Sequence, residues 1–168
     1  MEVTQMAKKT TLSLKSMKEN GEKITMITAY DYSSATLAQK AGIDTILVGD
    51  SLQMVMLGDS STIAATTDVM IHHTKAVIAG APDTFVVTDM PFGSCSSAAT
   101  AIEHATRIMK EGRCDAVKIE GGVSMAPIIR AVVDAGIPVV GHIGLTPQTT
   151  SKLGGFKVQG KGEAAGEG

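Results

Sequence analysis

Six side chains able to do chemistry fall at matching places in the sequence. Asp50 and Ser51 follow an apolar run at 45–49 (TILVG), and Asp89 follows another at 84–88 (TFVVT). Lys118 lies within a third run at 115–119 (DAVKI), Glu120 ends it, and His142 follows a fourth at 138–141 (PVVG). Asp50, Asp89 and Glu120 offer hard oxygen ligands without a Cys or His set. That chemistry favours Mg²⁺ or a similar cation over zinc. Lys118 and Glu120 are two apart, so on a strand they share one face. A cation beside the acids can hold a substrate carboxylate or oxyanion, and Ser51 with its adjoining backbone offers further donors. Each acid alone has a plainer reading, because Asp after a strand often caps a helix or closes a turn. Recurrence at successive run ends favours a shared site. Asp31, just before Ser33-Ser34, reads as a cap or turn residue. His142 stays open between a rim contact with ligand and a histidine satisfied by its neighbours.

The elements that would position these residues come next. Apolar runs at 24–29, 45–49, 84–88, 115–119 and 138–141 are hydrophobic on both faces, as buried parallel strands are. Helical patterns lie between them at 33–41, 67–79, 96–111 and 124–135, with another near 12–19. The four between strands open on polar residues (Ser33, Thr67, Ser96, Ser124) and stop at glycines 42, 80, 112 and 136. Alternation of this kind predicts βαβ units, a parallel sheet and helices outside it. Ligands bind at the carboxyl ends of such strands, where the loops converge. The 16-residue connection 51–66 is long for a compact domain, and such loops are often functional.

Composition removes several classes of function. The 168 residues carry 15 Lys+Arg against 17 Asp+Glu, a net charge of −2, which gives nucleic acid or anionic lipid no general hold. Aromatics are 3% of the chain, too few for base-stacking platforms. Apolar residues are 43%, enough for a real core, with Met as filler. No apolar run is long enough to span a membrane, and the N-terminal stretch does not read as a signal peptide. Cys95 and Cys114 match no metal or redox spacing, so a reducing cytoplasm is the expected setting.

Other tempting features carry less. Residues 155–161 (GFKVQGK) look like the opening of a P-loop, but Gly162 stands where Ser or Thr should meet Mg²⁺. His72 and His73 sit in a helical pattern and point apart, so a helix surface suits them better than a metal. Cys95 lies at a loop-to-helix junction, yet nothing nearby marks it as a nucleophile.

Eight stretches together resemble the ketopantoate hydroxymethyltransferase family: ITAYDYSSA (27–35), LVGDSL (47–52), VMIHHTKAV (69–77), VTDMPFGS (87–94), RIMKEG (107–112), AVKIEGG (116–122), GHIGLTPQ (141–148) and GGFKVQGK (154–161). The resemblance runs from about residue 10 to residue 161. It implies a (β/α)8 TIM barrel, of which this chain holds about five of eight βα units. On that reading 1–22 is an N-terminal helical segment, 23–153 the five units and 154–168 a Gly-rich tail. It also implies Mg²⁺-assisted transfer of the one-carbon unit of 5,10-methylenetetrahydrofolate to 3-methyl-2-oxobutanoate, giving 2-dehydropantoate for pantothenate synthesis. Asp50, Asp89 and Glu120 match the family's metal-site acids, and Asp50, Ser51, Asp89 and Lys118 its keto-acid contacts. The family's general base, a glutamate, lies on a later strand beyond residue 168, and Glu163 and Glu167 do not match it. Partners implied are the keto acid, folate and further copies of the chain, with no nucleic acid and no membrane.

Departures from the family pattern cluster over the expected mouth of the site. Gln53 replaces a glycine, Asp59-Ser60-Ser61-Thr62 replaces a Tyr or His followed by Asp-Ser-Thr, Ala64 replaces a proline and Cys95 an aromatic. These bear on loop closure and folate binding rather than on the acids. Two alternatives accompany this reading: a non-catalytic fragment that needs another chain, and a different Mg²⁺-dependent aldolase-type barrel enzyme.

Overall fold

A computed structural model describes residues 7–149. The P-loop-like stretch 155–161, Glu163, Glu167 and the rest of the Gly-rich tail lie outside the described residues. The order of elements is α1 (Thr11–Glu19), β1 (Met26–Thr28), α2 (Tyr32–Lys40), β2 (Thr45–Val48), α3 (Leu52–Val55), α4 (Thr67–Gly80), β3 (Phe85–Asp89), α5 (Ala98–Arg107), β4 (Ala116–Glu120), α6 (Ala126–Asp134) and β5 (Val139–His142). All strand pairs are parallel, in the order β1-β2-β3-β4-β5. Each strand therefore lies beside the next in sequence, as in a β/α barrel, whereas a doubly wound sheet reverses its order. No helix among the described residues is long and apolar enough to cross a membrane.

The two faces of the strands bury different partners. Ile46, Val48, Val86, Val117 and Ile119 meet the helices through Ala35, Ala38, Met70, Val77, Ala101, Ala105 and Ile108. Phe85, Val87 and Ala116 form a second cluster with Leu47 and Val140, and α1 adds Leu14 to it. Truncating a fully buried residue such as Ile46 to Ala removes contacts worth about 2–5 kcal/mol. The expectation of strands buried on both faces holds for β2, β3 and most of β4. It fails for β1, where Met26 and Ile27 are 49% and 46% exposed, and for β5, none of whose residues is buried, because these are the two edge strands among the described residues. Met70 and Met90 fill the core as expected, while Met26 and Met56 do not.

Helix ends follow local hydrogen-bond chemistry, with three corrections. The cap of α2 is Asp31 rather than Ser33, and its carboxylate accepts the Ser34 N–H. The pattern at 96–111 is not one α-helix: α5 gives way to a π-helical turn at Ile108–Gly112, and Arg113 at φ 65° ends it, not glycine. Gly112 instead packs on Thr74, where an added Cβ would lie 3.1 Å from Thr74 Cγ2. Before α6 a 3-10 turn at Val123–Met125 precedes Pro127, so Ser124 is not a cap. Gly80 lies within α4, and its lack of a side chain lets α4 approach Tyr32 of α2 closely.

Candidate active site

Strand register assembles the predicted residues. Asp89 is the register partner of Lys118, and Glu120 that of His142. Lys118 and Glu120 are two apart on β4 and share a face. The consequence is a compact charged cluster at the carboxyl ends of β3, β4 and β5. Lys118 Nζ lies 3.1 Å from Asp89 Oδ1, 3.4 Å from Glu120 Oε1 and 3.4 Å from His142 Nδ1. His142 Nδ1 also lies 3.1 Å from Glu120 Oε1. A protonated Nδ1 donates to Glu120, and the other tautomer accepts from Lys118. His142, left open above, thus belongs to the cluster.

Asp50 joins through the backbone. Its N–H donates to Asp89 Oδ2 at 3.0 Å, tying the end of β2 to the end of β3. The approach is tight: a Cβ on Gly49 would sit 2.8 Å from Ser51 Oγ. Ser51 shares a 2.8 Å hydrogen bond with the hydroxyl of Tyr30, beyond β1. Gln148, on a 3-10 turn after β5, closes the ring. Its side-chain amide donates to Asp50 Oδ2 at 2.8 Å and to the Met90 carbonyl at 2.8 Å, and its N–H reaches Glu120 Oε2 at 3.2 Å. All six predicted residues therefore meet at one rim.

The electrostatics are those of a pocket short of positive charge. Three carboxyl groups face one ammonium, and the side chains of all four are nearly out of water. Burial pushes the Asp89 carboxyl up to about 7 despite the pull of Lys118, and the nearby Asp50 charge adds to the rise. Burial also raises Asp50, with Glu120 contributing, against the donors of Gln148. Asp89 Oδ1 makes the ion pair to Lys118 but has no well-directed hydrogen bond. Hard oxygen donors, three carboxyl groups against one ammonium and this poorly satisfied buried oxygen fit a divalent cation held at Asp50, Asp89 and Glu120. Among the described residues, however, no three His, Cys, Asp or Glu side chains already form a metal-ligand cluster. Mg²⁺ does not demand one, because it characteristically takes one or two carboxylates and leaves its other positions to water and substrate oxygens.

Other sequence expectations are settled by the same geometry. Asp31 is held below the usual carboxylate range, chiefly by the Ser34 N–H and hydroxyl, as befits a cap. His72 is exposed as expected, but His73 is not simply a surface residue, since its Nδ1 lies 2.7 Å from the Tyr30 carbonyl. Burial pushes the Cys95 thiol up, the wrong direction for a nucleophile. In the long connection, Gln53 donates through Nε2 to Asp59. Two of the departures from the family pattern are thus joined to each other, while Gln53 Oε1 is buried without a hydrogen-bond partner. Tyr30 and Gln148 were not singled out from sequence. Tyr30 directly follows the apolar run 24–29, the position that marked the others, whereas Gln148 lies beyond β5 on a turn that no run end marks.

Comparison with known proteins agrees. A family profile described as ketopantoate hydroxymethyltransferase matches residues 8–167. The chain is 57% identical over 166 residues to 3-methyl-2-oxobutanoate hydroxymethyltransferase of Moorella thermoacetica, covering 98% of this chain and 62% of that protein. It is 60% identical over 164 residues to the enzyme of the same name from Heliobacterium modesticaldum, covering 96% of this chain and 59% of that one. The chain therefore spans about three-fifths of the length of these relatives. Among solved structures, phosphoenolpyruvate phosphomutase from Streptomyces platensis subsp. rosaceus superposes with a TM-score of 0.65 at 17% identity, covering 79% of this chain and 53% of that one. 2,3-Dimethylmalate lyase, of the PEP mutase/isocitrate lyase superfamily, gives 0.62 at 23% identity, covering 77% and 51%. These likenesses establish a partial TIM-type barrel. The fold, the register that gathers the acids and the match across nearly the whole sequence agree: the chain belongs to the ketopantoate hydroxymethyltransferase family.

Proposed function

We propose that this chain carries the metal and keto-acid half of an active site that transfers a hydroxymethyl group to 3-methyl-2-oxobutanoate. The one-carbon donor is 5,10-methylenetetrahydrofolate, and the products are 2-dehydropantoate and tetrahydrofolate, with one water consumed. The observation that carries this reading is the gathering of three buried carboxyl groups around Lys118 in a chain of this family. Asp50, Asp89 and Glu120 would hold Mg²⁺, which when bound supplies Lewis acidity that makes the C–H beside the keto group easier to ionise.

The protein's own residues do the rest. Lys118 offers its ammonium to the negative charge of the keto acid. Ser51, oriented by Tyr30, offers a hydroxyl, and burial of the acids keeps competing water out. The proton on the substrate carbon goes to a base outside this cluster, which the family pattern assigns to a glutamate on a later strand. The carbon so exposed forms the new C–C bond to the one-carbon unit. The reading also takes the chain to work with further barrel strands or further copies, since the outer edge of β1 pairs with no described strand.

Two measurements test the proposal. Calorimetric titration of Mg²⁺ in the presence of 3-methyl-2-oxobutanoate is expected to show saturable binding that Asp50→Ala abolishes. A folded sample that binds neither, with Asp50→Ala indistinguishable, overturns it. Turnover of labelled keto acid with methylenetetrahydrofolate, compared with phosphoenolpyruvate as donor, separates this reaction from that of another aldolase-type barrel.

A further inference from the structure

We infer that Gln148 is the positioning residue of the acid pocket, holding Asp50 and Glu120, from two different strands, in the arrangement that receives the divalent cation. The inference rests on the cation reading above. Its basis is three hydrogen bonds from one residue to three separate elements. The side-chain amide has two hydrogens and finds two acceptors, Asp50 Oδ2 and the Met90 carbonyl, each at 2.8 Å. That pairing fixes which way the amide faces, because the carbonyl end in its place would oppose two oxygens. The main-chain N–H supplies the third bond, to Glu120 Oε2. Asp50 and Gln148 are 98 positions apart in sequence, so the turn after β5 is pinned directly over the end of β2.

The residue type suits the task. Asp50 is buried, and a buried carboxylate oxygen needs a hydrogen-bond donor, which the Gln148 amide supplies. A neutral donor does this without cancelling the charge a cation needs, as Lys would. A carboxylate oxygen has more than one acceptor site, so a bond from Gln148 leaves Asp50 able to ligate. Glu120 Oε1 is already engaged by Lys118 and His142, and Gln148 takes the other oxygen. The side chain of Gln148 touches no reacting atom in this scheme; it acts through Asp50 and Met90.

Gln148→Met keeps length and bulk and removes both donors. Titration with Mg²⁺ alone is expected to show about tenfold weaker binding, the usual scale for a lost ligand-orienting partner. The thermal midpoint is expected to fall by a few degrees, as in the contrast variant below, because two acceptors lose their donor. Gln39→Met provides the contrast. Gln39 accepts from the Asp83 N–H and the Thr84 hydroxyl, so its loss should lower the midpoint and leave Mg²⁺ affinity unchanged. Affinity of Gln148→Met within twofold of wild type overturns the inference. Should that variant not fold, Gln148→Asn serves: its amide falls one methylene short, and unchanged Mg²⁺ affinity there overturns it equally. Wild-type protein that binds no Mg²⁺ removes the cation reading itself and this inference with it. Wild-type binding with unaffected variants removes only the role of Gln148.

Discussion

The two ends of the sheet carry the same residue types under opposite terms. At the amino ends of the strands, Asp44 and Asp115 are tied into backbone structure. Asp44 Oδ2 accepts the Thr25 N–H at 2.9 Å and its hydroxyl at 2.8 Å, with Lys9 3.8 Å from the other oxygen. Asp115 accepts the Val86 N–H at 2.8 Å and pairs with Lys8 at 2.9 Å. Each of these acids has its own cation and its own amide. At the carboxyl ends, Asp50, Asp89 and Glu120 crowd one ammonium. Burial raises Asp44 too, but its Thr25 donors and Lys9 outweigh that and hold it below the usual range, whereas Asp89 rises to about 7. Carboxylates that stabilise a fold are supplied with donors one by one. Carboxyl groups that crowd one cation in a buried place cost stability, the pattern that marks a candidate binding site.

The largest effect that tests this contrast concerns binding. Asp50→Ala or Asp89→Ala is expected to weaken Mg²⁺ binding at least about a hundredfold, and Asp44→Ala to leave it within twofold, by calorimetric titration. Loss of binding in the Asp44 variant would erase the distinction between the ends. Lys118→Met comes next. It strips Asp89 and Glu120 of their shared cation, and stability to urea should fall by about 2 kcal/mol, below the range for a fully buried pair because Asp89 can take up a proton. Lys9→Met, whose ammonium is 3.8 Å from Asp44, should cost no more than about 0.5 kcal/mol.

Much of this division was legible in the sequence. Asp50, Asp89, Lys118, Glu120 and His142 were found because parallel strands share a direction, so residues ending apolar runs must meet at one rim. Ser51 was found for the same reason. Gln148 escaped because it follows β5 by six positions, on a turn whose path no periodicity records. The π-helical turn at Ile108–Gly112 escaped because the glycine expected to stop the helix is used for packing on Thr74 instead. Exposure of β1 is equally invisible in its sequence, since ITMITA reads as a buried strand whatever lies beside it. Local chemistry writes itself into sequence patterns; which neighbours a strand has does not.

A single substitution made at both ends should change stability with opposite signs. In metal-free protein at pH 8, Asp89→Asn keeps an acceptor for the Asp50 N–H and removes a charge whose burial outweighs its attraction to Lys118. Urea unfolding should show a gain of about 1 kcal/mol, less than a full conversion of the rise because Lys118 loses its nearest partner. Asp44→Asn should lose about 1 kcal/mol, since both Thr25 bonds pass from a charged to a neutral acceptor. Two losses, or two gains, would show that position along the strand does not decide the role of an acid here.

The smallest effect separates position from chemistry. Asp31 lies at the carboxyl end of β1, on the same rim as the site, yet it is satisfied as a cap: its carboxylate accepts the Ser34 N–H and hydroxyl, each at 2.9 Å. Its carboxyl is held low chiefly by the Ser34 N–H. A carboxyl lowered on folding contributes stability that is present above its unfolded value, near 3.8, and is lost as pH falls through the folded value. Asp31→Asn should therefore cost about 0.5 kcal/mol at pH 7 and flatten the fall in stability below about pH 4, with Mg²⁺ affinity unchanged. Urea midpoints between pH 3 and pH 7 measure the first two, and calorimetric titration the third. An Asp31 variant that behaves like Asp89→Asn would mean that the rim itself, rather than the supply of donors, sets which acids serve function.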